Sequence, residues 1–193
     1  PALKASSSKS APKEENTPNE YKNQLGKITA EKSIPQLKKF LEEGGNIVTI
    51  GSSTNLAYQL GLPVKNAIVE TVNKVDKKLP NEKYYIPGSV LNVEVDNKQP
   101  ATYGMESEAD IYFDNSPVFK FTADDKNIKP LMWFNSATSL RSGWALGQSY
   151  LKDGITAFEA SIGKGKLFAF GPEILFRAQT HGTFKLLFNQ LYK

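Results

Sequence analysis

The clearest pattern of apolar and polar positions lies near the end of the chain, in residues 163–192. The turn Gly163-Lys164-Gly165 leads into a continuous apolar run, Leu167 to Phe170, which predicts a buried strand that ends at Gly171-Pro172. A helix is predicted after it, because apolar residues recur at helical spacing, namely at Phe184, Leu187, Phe188 and Leu191. Strand, polar loop and helix in this order is how open α/β sheets build sites at strand ends.

A second unit of the same kind is predicted between residues 33 and 60. Ser33-x-x-Gln36 is typical of a capped helix start, and Gly44-Gly45 ends that helix. The β-branched run Asn46 to Ile50 predicts a buried strand, after which Gly51-Ser52-Ser53-Thr54 turns the chain into a short helix, Asn55 to Leu60. Strands in such units are expected to run parallel, with right-handed connections.

The middle of the chain, residues 64–128, shows the two-residue period of strands, so we expect a β-rich insertion that is antiparallel or irregular. Its predicted strands are Val69 to Val75, Ser89 to Val95, and a pair, Ala109 to Phe113 with Val118 to Phe121. Buried strands are predicted again at Pro130 to Asn135 and at Ile155 to Ile162, the latter in a hairpin with residues 166–170.

The first 27 residues are rich in Ser, Lys, Pro, Glu and Asn and hold almost no large apolar side chain before Tyr21 and Leu25. Such a segment cannot bury enough apolar surface to offset its ordering entropy, so residues 1–27 are predicted to form a flexible tail or loop. Residues 28–193 are then expected to form one α/β domain, since a chain of 193 residues is normally a single domain.

The residue types that are missing exclude several chemistries. The chain has no cysteine and one histidine, which excludes a disulfide, a thiolate zinc site, a cysteine nucleophile and a histidine-rich metal site within it. A carboxylate-only site for a hard cation remains open, but no EF-hand spacing occurs. We therefore expect neither a metal nor a cofactor in this chain.

The net charge of +4 rests on scattered lysines and on two arginines. Arginine is the side chain best suited to base edges and phosphates, so nucleic-acid binding is not expected. No apolar stretch approaches the about 20 residues of a membrane span, and no targeting signal is visible at Pro1.

Ser53 and His181 are the candidates for a hydrolytic site. Ser53 lies on a strand-to-helix turn that can expose a nucleophile, although a G-x-S-x-G elbow needs glycine where Asn55 stands. The alternative is a serine that caps the following helix. His181, with Thr180 as predicted N-cap, lies at a helix start that favours the neutral imidazole, so it either acts as a base or packs as a capping residue.

Arg177, Glu173 and Trp144 are the candidates for ligand binding. A guanidinium can hold a carboxylate through two hydrogen bonds, so Arg177 is predicted to pair with Glu173 or to clamp a substrate. Trp133 and Trp144 would complete an aromatic cleft with Arg177 for a small molecule or a glycan. A solvated strand face is predicted by three alternating acids, Glu106, Glu108 and Asp110.

Several segments resemble class I glutamine-amidotransferase-like domains. The run F-L-E-E-G-G-N-I-V-T-I-G-S-S-T-N-L-A is similar to their helix, Gly-Gly, strand and elbow. The tail G-K-G-K-L-F-A-F-G-P-E-I-L-F-R-A-Q-T-H-G-T-F-K-L-L-F-N resembles one branch, the C-terminal amidotransferase-like domain of secreted bacterial zinc carboxypeptidases. Y-Y-I-P-G-S-V-L-N-V-E-V-D and S-G-W-A-L-G are similar to that branch too, and the resemblance spans Tyr21 to Tyr192.

The resemblance implies a flavodoxin-like parallel sheet and an inactive site. Working amidotransferases carry cysteine in G-x-C-x-G, where this chain has Ser53, and His181 does not sit in the family's H-P-E motif. The zinc centre of the parent peptidases needs an H-x-x-E motif and a further histidine, which one histidine cannot supply. The implied role is a secreted or periplasmic accessory domain, structural or binding, of a protein whose peptidase centre lies outside this chain.

The resemblance also implies that the first βα units of the domain precede Pro1. Without those strands the sheet exposes an edge, which we expect the upstream peptidase domain, the missing N-terminal segment or a second copy of the chain to cover. Two alternatives to an accessory domain are a serine-type hydrolase that uses Ser53 and His181, and a small-molecule or glycan-binding module.

Overall fold

The computed structural model describes residues 14–25, 29–73 and 75–192, so much of the predicted tail lies outside the described residues. The α-helices are α1 (Ser33–Glu42), α2 (Leu56–Gln59) and α3 (Phe184–Leu191). The strands are β1 (Asn46–Ile50), β2 (Val64–Asn66), β3 (Val69–Val72), β4 (Val75–Lys78), β5 (Pro87–Val95), β6 (Glu108–Asp114), β7 (Phe119–Phe121), β8 (Ile128–Trp133), β9 (Leu140–Ser142), β10 (Ile155–Ile162) and β11 (Gly165–Phe170). Short 3-10 turns lie at Glu14–Asn16, Asn19–Gln24, Gly51–Asn55, Pro100–Thr102, Gln148–Leu151, Phe176–Ala178 and His181–Thr183.

Nine of these strands form one mixed sheet, in which β1, β11, β10, β8, β5 and β6 are neighbours in that order. β7 pairs with β10 and β2, β9 pairs with β5, and β3–β4 is a separate hairpin. β1 and β11 run parallel, with Asn46 opposite Lys166 and Ile50 opposite Phe170, whereas the other pairings within the described ranges are antiparallel. The fold is therefore α/β with a mixed sheet, and the expected parallel pairing holds for β1 and β11.

Helices contribute to the hydrophobic cores on both faces of the sheet. Adjacent residues of a strand point to opposite faces, and the two faces of β11 belong to two hydrophobic cores. Leu167 and Ala169 lie in the core that includes residues of α1 and α2. Phe168 and Phe170 lie in the core that includes Leu186 of α3. The domain thus has three layers, with α1 and α2 on one side of the sheet and α3 on the other.

The two ends of α1 differ in how well the sequence predicted them. Ser33 is the first helical residue, and its hydroxyl accepts a hydrogen bond from the Thr29 N–H (3.1 Å), so the predicted N-cap role of Ser33 is wrong. The helix end is confirmed, because Gly44 has a φ of +113° and the Gly45 N–H donates to the Phe40 carbonyl at 2.8 Å. A left-handed glycine of this kind is the common way to end a helix.

β1 is an edge strand rather than the buried strand that was predicted. Thr49 is buried and its hydroxyl donates to the Phe168 carbonyl (3.0 Å), but Ile47, Val48 and Ile50 are only half-buried. In the described part of the chain, β1 pairs with β11 on one side and with no strand on the other. A local apolar run cannot reveal this, because an edge strand and a central strand have similar compositions.

The β-rich middle region joins the main sheet through β2, β5, β6 and β7. The predicted pairing of residues 109–113 with 118–121 is wrong, because β6 pairs with β5 while β7 pairs with β2 and β10. The two strands serve different cores: Phe113 packs on the α3 side and Phe119 on the side of α1 and α2. The single strand predicted at 69–75 is a hairpin, since Asn73, with a φ of 53°, turns the chain between β3 and β4.

Candidate functional site

The carboxyl ends of β1 and β11 lie side by side, because the two strands are parallel and in register up to Ile50 and Phe170. The chain continues from β1 into Gly51-Ser52-Ser53 and from β11 into Gly171-Pro172-Glu173. We call these two tripeptides the strand-end site. Polar side chains from segments more than 100 positions apart therefore meet at one edge of the sheet, where α/β folds commonly build sites.

Gly51 allows the two halves of the strand-end site to approach closely. Its φ of +59° is a left-handed conformation that side chains disfavour. A Cβ atom at Gly51 would also lie 2.5 Å from Oε1 of Glu173. The Glu173 carboxylate therefore packs over a buried glycine backbone while the glutamate as a whole remains exposed.

Ser53 closes the turn that follows β1. Its hydroxyl accepts a hydrogen bond from the Ile50 N–H (2.8 Å) and donates one to the Ile50 carbonyl (2.7 Å). The Thr54 hydroxyl supports the same turn by donating to the Gly51 carbonyl (2.6 Å). Ser53 is thus the third residue of the turn Gly51–Asn55 and bonds back to the residue that precedes the turn. The predicted serine cap of the following helix is not formed, because Asn55 is the N-cap residue of α2 and makes no side-chain capping bond.

His181 lies away from these hydrogen bonds, in the 3-10 turn before α3. Its exposed ring packs against Phe184, with ring centroids 5.4 Å apart. Thr180 is the N-cap residue of this turn, as predicted, and Thr183 is that of α3; neither makes a side-chain capping bond. The Thr183 hydroxyl instead donates to the Ile174 carbonyl at 2.6 Å. Within the described ranges no hydrogen bond joins His181 to Ser53, so the geometry supplies no base for a serine nucleophile.

Arg177 does not form the predicted ion pair with Glu173. Arg177 and Ala178 both have left-handed φ values, 45° and 53°, so the segment lacks the helical geometry that brings positions i and i+4 together. The Arg177 guanidinium instead lies 5.1 Å from the Phe176 ring centroid. Phe176 in turn stacks on Tyr112 of β6, at 4.3 Å and an interplanar angle of 11°.

The two tryptophans line different parts of the surface. The Trp144 backbone N–H donates to the Ser89 hydroxyl (2.9 Å), and the Trp144 ring lies edge-on to Tyr85 with centroids 5.8 Å apart. Trp133 is half-buried and stands opposite Glu94. Ser89 and Glu94 are separated by five residues of β5, which is about 17 Å of extended strand. The predicted cleft between the tryptophans is therefore not formed.

The second arginine of the chain sits on a solvated strand face. Arg141 of β9 contacts Glu108 (3.7 Å) and Asp110 (3.4 Å) of β6, and all three side chains are more than half exposed. Glu108 and Asp110 thus lie on the exposed strand face that the sequence predicted, whereas Glu106 is exposed but precedes β6. Exposed ion pairs of this kind contribute little to stability.

The sequence pattern did not reveal a groove beside α3, because half of the predicted apolar stripe is exposed: Leu187 packs against the core as expected, but Phe188 and Leu191 do not. Leu186 is the buried residue, whereas Phe188 is 46% and Leu191 is 64% exposed. The exposed ring of Phe188 lines a groove of about 450 Å³ with residues 97–100, Tyr103, Asn189 and Tyr192. The sequence did contain a sign of this arrangement: Leu186 is an apolar residue of α3 that lies outside the stripe of Phe184, Leu187, Phe188 and Leu191.

Two classes of site receive no support from the part of the chain that is described. Among its residues, no three His, Asp or Glu side chains are grouped so that they could hold a metal ion. None of its helices combines the length and the apolar character needed to cross a membrane.

No family model and no curated protein matches this chain. Its fold has similarity to β-galactosidase from Bacillus circulans sp. alkalophilus, with 9% identity, a TM-score of 0.47, and coverage of 80% of this chain and 19% of that one. A putative ThuA-like protein from Bacteroides uniformis is 13% identical, with a TM-score of 0.46 over 82% of this chain and 62% of that one. PurLQS from Thermotoga maritima is 15% identical, with a TM-score of 0.49 over 82% of this chain and 66% of that one. The chain thus spans 19% to 66% of these structures, and TM-scores of 0.46 to 0.49 assign it to no family.

Proposed function

We propose that this chain is a non-catalytic domain with a class I glutamine-amidotransferase-like, flavodoxin-related fold. In this proposal it is the structural or binding accessory part of a secreted or periplasmic zinc carboxypeptidase-like protein whose peptidase centre lies outside the chain. The observation that carries the non-catalytic role is the Ser53 hydroxyl, which both accepts from and donates to the main chain of Ile50.

The chemistry of acyl transfer explains why this observation matters. A serine or cysteine attacks a carboxamide only when a neighbouring base removes its proton, and the base is itself held by a third group. The segment that resembles the amidotransferase elbow forms a strand, a tight turn and a short helix, but the turn carries Ser53 in place of cysteine.

The other half of the strand-end site also lacks a base. After β11 the chain reads Gly171-Pro172-Glu173, which keeps the proline and glutamate of the H-P-E motif and has glycine in place of its histidine. The Glu173 carboxylate lies over Gly51. The acidic group is thus present beside the turn, but no imidazole lies between the two. This supports an inherited scaffold rather than a working triad.

Turnover measurements test the non-catalytic role. We expect the purified chain to release no ammonia from glutamine and to leave p-nitrophenyl acetate unhydrolysed above the blank. Restoring the thiol with Ser53→Cys should not restore glutamine hydrolysis, because position 171 still has no imidazole. Turnover by the wild-type chain that disappears in Ser53→Ala would instead establish the serine-hydrolase alternative.

The edge of β1 supports a covering partner from the same protein. Ile47, Val48 and Ile50 are half-buried apolar residues, and the strand carries neither the lysine nor the proline that commonly protects exposed edges. We propose that upstream residues of the parent protein pair with this side of β1. A longer protein that includes the upstream part of the reading frame should then show slower amide exchange in β1 than the present chain does.

The two parts of the partner proposal fail separately. An upstream reading frame without an H-x-x-E-containing domain would refute the peptidase parent. Unchanged exchange at β1 in the longer protein would refute the edge as the docking position, whatever the upstream domain is.

A further inference from the structure

Helix α3 and the turn of residues 97–103 enclose the groove of about 450 Å³ described above, which we call the α3 groove. Three exposed rings line it: Tyr103 (77% exposed), Phe188 (46%) and Tyr192 (84%). Phe188 and Tyr192 lie one helical turn apart, with ring centroids separated by 6.3 Å, and Tyr103 belongs to the opposite wall. Large aromatic rings are normally buried in a folded protein, and a cluster of them that stays exposed commonly marks a binding site.

The α3 groove is held open by hydrogen bonds within the protein. The side-chain nitrogen of Asn189 donates to the carbonyls of Ala101 (3.2 Å) and Tyr103 (3.0 Å), which ties the helix to the turn. The Asp96 carboxylate accepts from the Lys98 N–H (3.2 Å) and from the side-chain nitrogen of Gln99 (2.7 Å). A ligand therefore meets a preformed surface, which lowers the entropy lost on binding.

These hydrogen bonds leave the α3 groove with surplus acceptors. The amide nitrogens of Asn189 and Gln99 are engaged, whereas their side-chain oxygens accept no hydrogen bond from the described residues. Neither of these two oxygens is buried, so solvent reaches both of them. A complementary ligand therefore donates hydrogen bonds.

The charges around the α3 groove disfavour a cationic ligand, and its surplus acceptors disfavour an anionic one. Among the described residues that line it, Lys98 is the charged one and none carries a carboxylate. The Lys185 ammonium lies close by and donates to the Gly104 carbonyl, next to Tyr103. Two ammonium groups disfavour a cation over the rings, despite the attraction that aromatic faces offer to cations. A phosphate would find neither of the two arginines in the lining, and its oxygens are acceptors, which the unengaged amide oxygens of Asn189 and Gln99 cannot satisfy.

The size of the exposed aromatic surface argues against a second copy of the chain as the occupant. The three rings together expose about 400 Å², taking about 200 Å² for each complete side chain. A stable dimer normally buries about 800 Å² on each partner. The three rings supply about half of that area, so a dimer through this face would need further surface around the groove, whereas a ligand of a few rings would not.

From these features we infer that the α3 groove binds a neutral saccharide. Sugar rings present C–H faces that pack on tyrosine and phenylalanine rings, and their hydroxyls donate to amide oxygens such as those of Asn189 and Gln99. A proline-rich peptide would also stack on the rings, but its imide nitrogens have no hydrogen to donate. This inference goes beyond the accessory role proposed above and uses none of the strand-end residues, so each can fail without the other.

The test uses the full chain and five hexasaccharides as probes: cellohexaose, maltohexaose, xylohexaose, mannohexaose and chitohexaose. Calorimetry and saturation-transfer NMR should detect at least one of them with a Kd of about 1 mM or tighter. Tyr103→Ala and Tyr192→Ala should each weaken that binding by about threefold to tenfold, as expected for one stacked ring. Tyr150→Ala removes another exposed tyrosine, 42% exposed and outside the groove, and should leave the Kd unchanged.

Four results would overturn the inference. One is the absence of binding by all five sugars at about 10 mM, which is about ten times the Kd expected for the weakest useful site. Another is sugar binding that survives both groove variants. The third is groove-dependent binding of a proline decapeptide or of choline in place of the sugars. The last is dimerisation, seen by sedimentation, that Tyr192→Ala abolishes. Because Tyr103 and Tyr192 are largely exposed, both variants should fold, and circular dichroism checks this.

Discussion

Replacing Ser53 with alanine separates a structural role of its hydroxyl from a chemical one. The hydroxyl makes two short hydrogen bonds to the main chain of Ile50, at 2.8 and 2.7 Å. Each such bond contributes about 0.5–1.5 kcal/mol net, and loss of a capping side chain typically costs about 1 kcal/mol. Since Ser53 is exposed, water can replace part of what is lost. We therefore expect Ser53→Ala to lower the unfolding free energy by about 1 kcal/mol.

The neighbouring serine provides the matched control. Ser52 is also exposed, and its hydroxyl makes no hydrogen bond to the described residues, so Ser52→Ala should change stability by less than about 0.5 kcal/mol. Ser53→Thr keeps a hydroxyl at the same position and should recover part of the loss. Urea unfolding followed by tryptophan fluorescence measures all three variants.

If Ser53→Ala and Ser52→Ala are equally stable, the two hydrogen bonds to Ile50 do not hold the turn. If Ser53→Ala in addition removes a hydrolytic activity that Ser52→Ala retains, the hydroxyl is a nucleophile and the accessory proposal is wrong.

Three further predictions concern the scaffold. Gly51→Ala should lower the unfolding free energy by about 1–3 kcal/mol, because the φ of Gly51 is +59° and the new Cβ would lie 2.5 Å from a carboxylate oxygen. An unfolding midpoint equal to that of the wild type would refute this. Leu186→Ala should lower the unfolding free energy by about 2–5 kcal/mol and Leu191→Ala by less than about 0.5 kcal/mol, since Leu186 is fully buried and Leu191 is 64% exposed. Equal losses in denaturant unfolding would contradict the assignment of Leu186 to the core. Burial raises the pKa of Tyr58 from 10.0 to about 12 and raises the pKa of Tyr84 as well. The folded state then keeps these protons longer than the unfolded state, so the stability present below pH 10 is lost as the pH rises toward 12, by up to about 1.4 kcal/mol per pH unit for each tyrosine. Tyr84→Phe should make that decline in stability less steep. It should not destabilise the protein at neutral pH, because the Tyr84 hydroxyl is buried without a partner among the described residues. A clear loss of stability at neutral pH would reveal a partner.

Local signals predicted the elements around the strand-end site well. Asn46–Ile50 and the hairpin of β10 and β11 formed as expected, because β-branched runs and glycine turns act over a few residues. The hydrogen bonds of Ser53 also involve a residue only three positions away, although the predicted cap of the following helix is not formed. The predicted pair Arg177–Glu173 failed because two left-handed residues, at 177 and 178, replaced a helical turn that sequence spacing had assumed.

By itself, the sequence determined the order of helices, strands and turns in much of the chain, and it excluded cysteine and histidine-rich chemistry. It did so because propensity, capping and periodicity act between residues a few positions apart. The tertiary structure alone decided that β1 lies at an edge, that Leu186 rather than Phe188 faces the core, and that Glu173 lies over Gly51. These outcomes depend on contacts such as that between Thr49 and Phe168, 119 positions apart, whose partners no local pattern specifies.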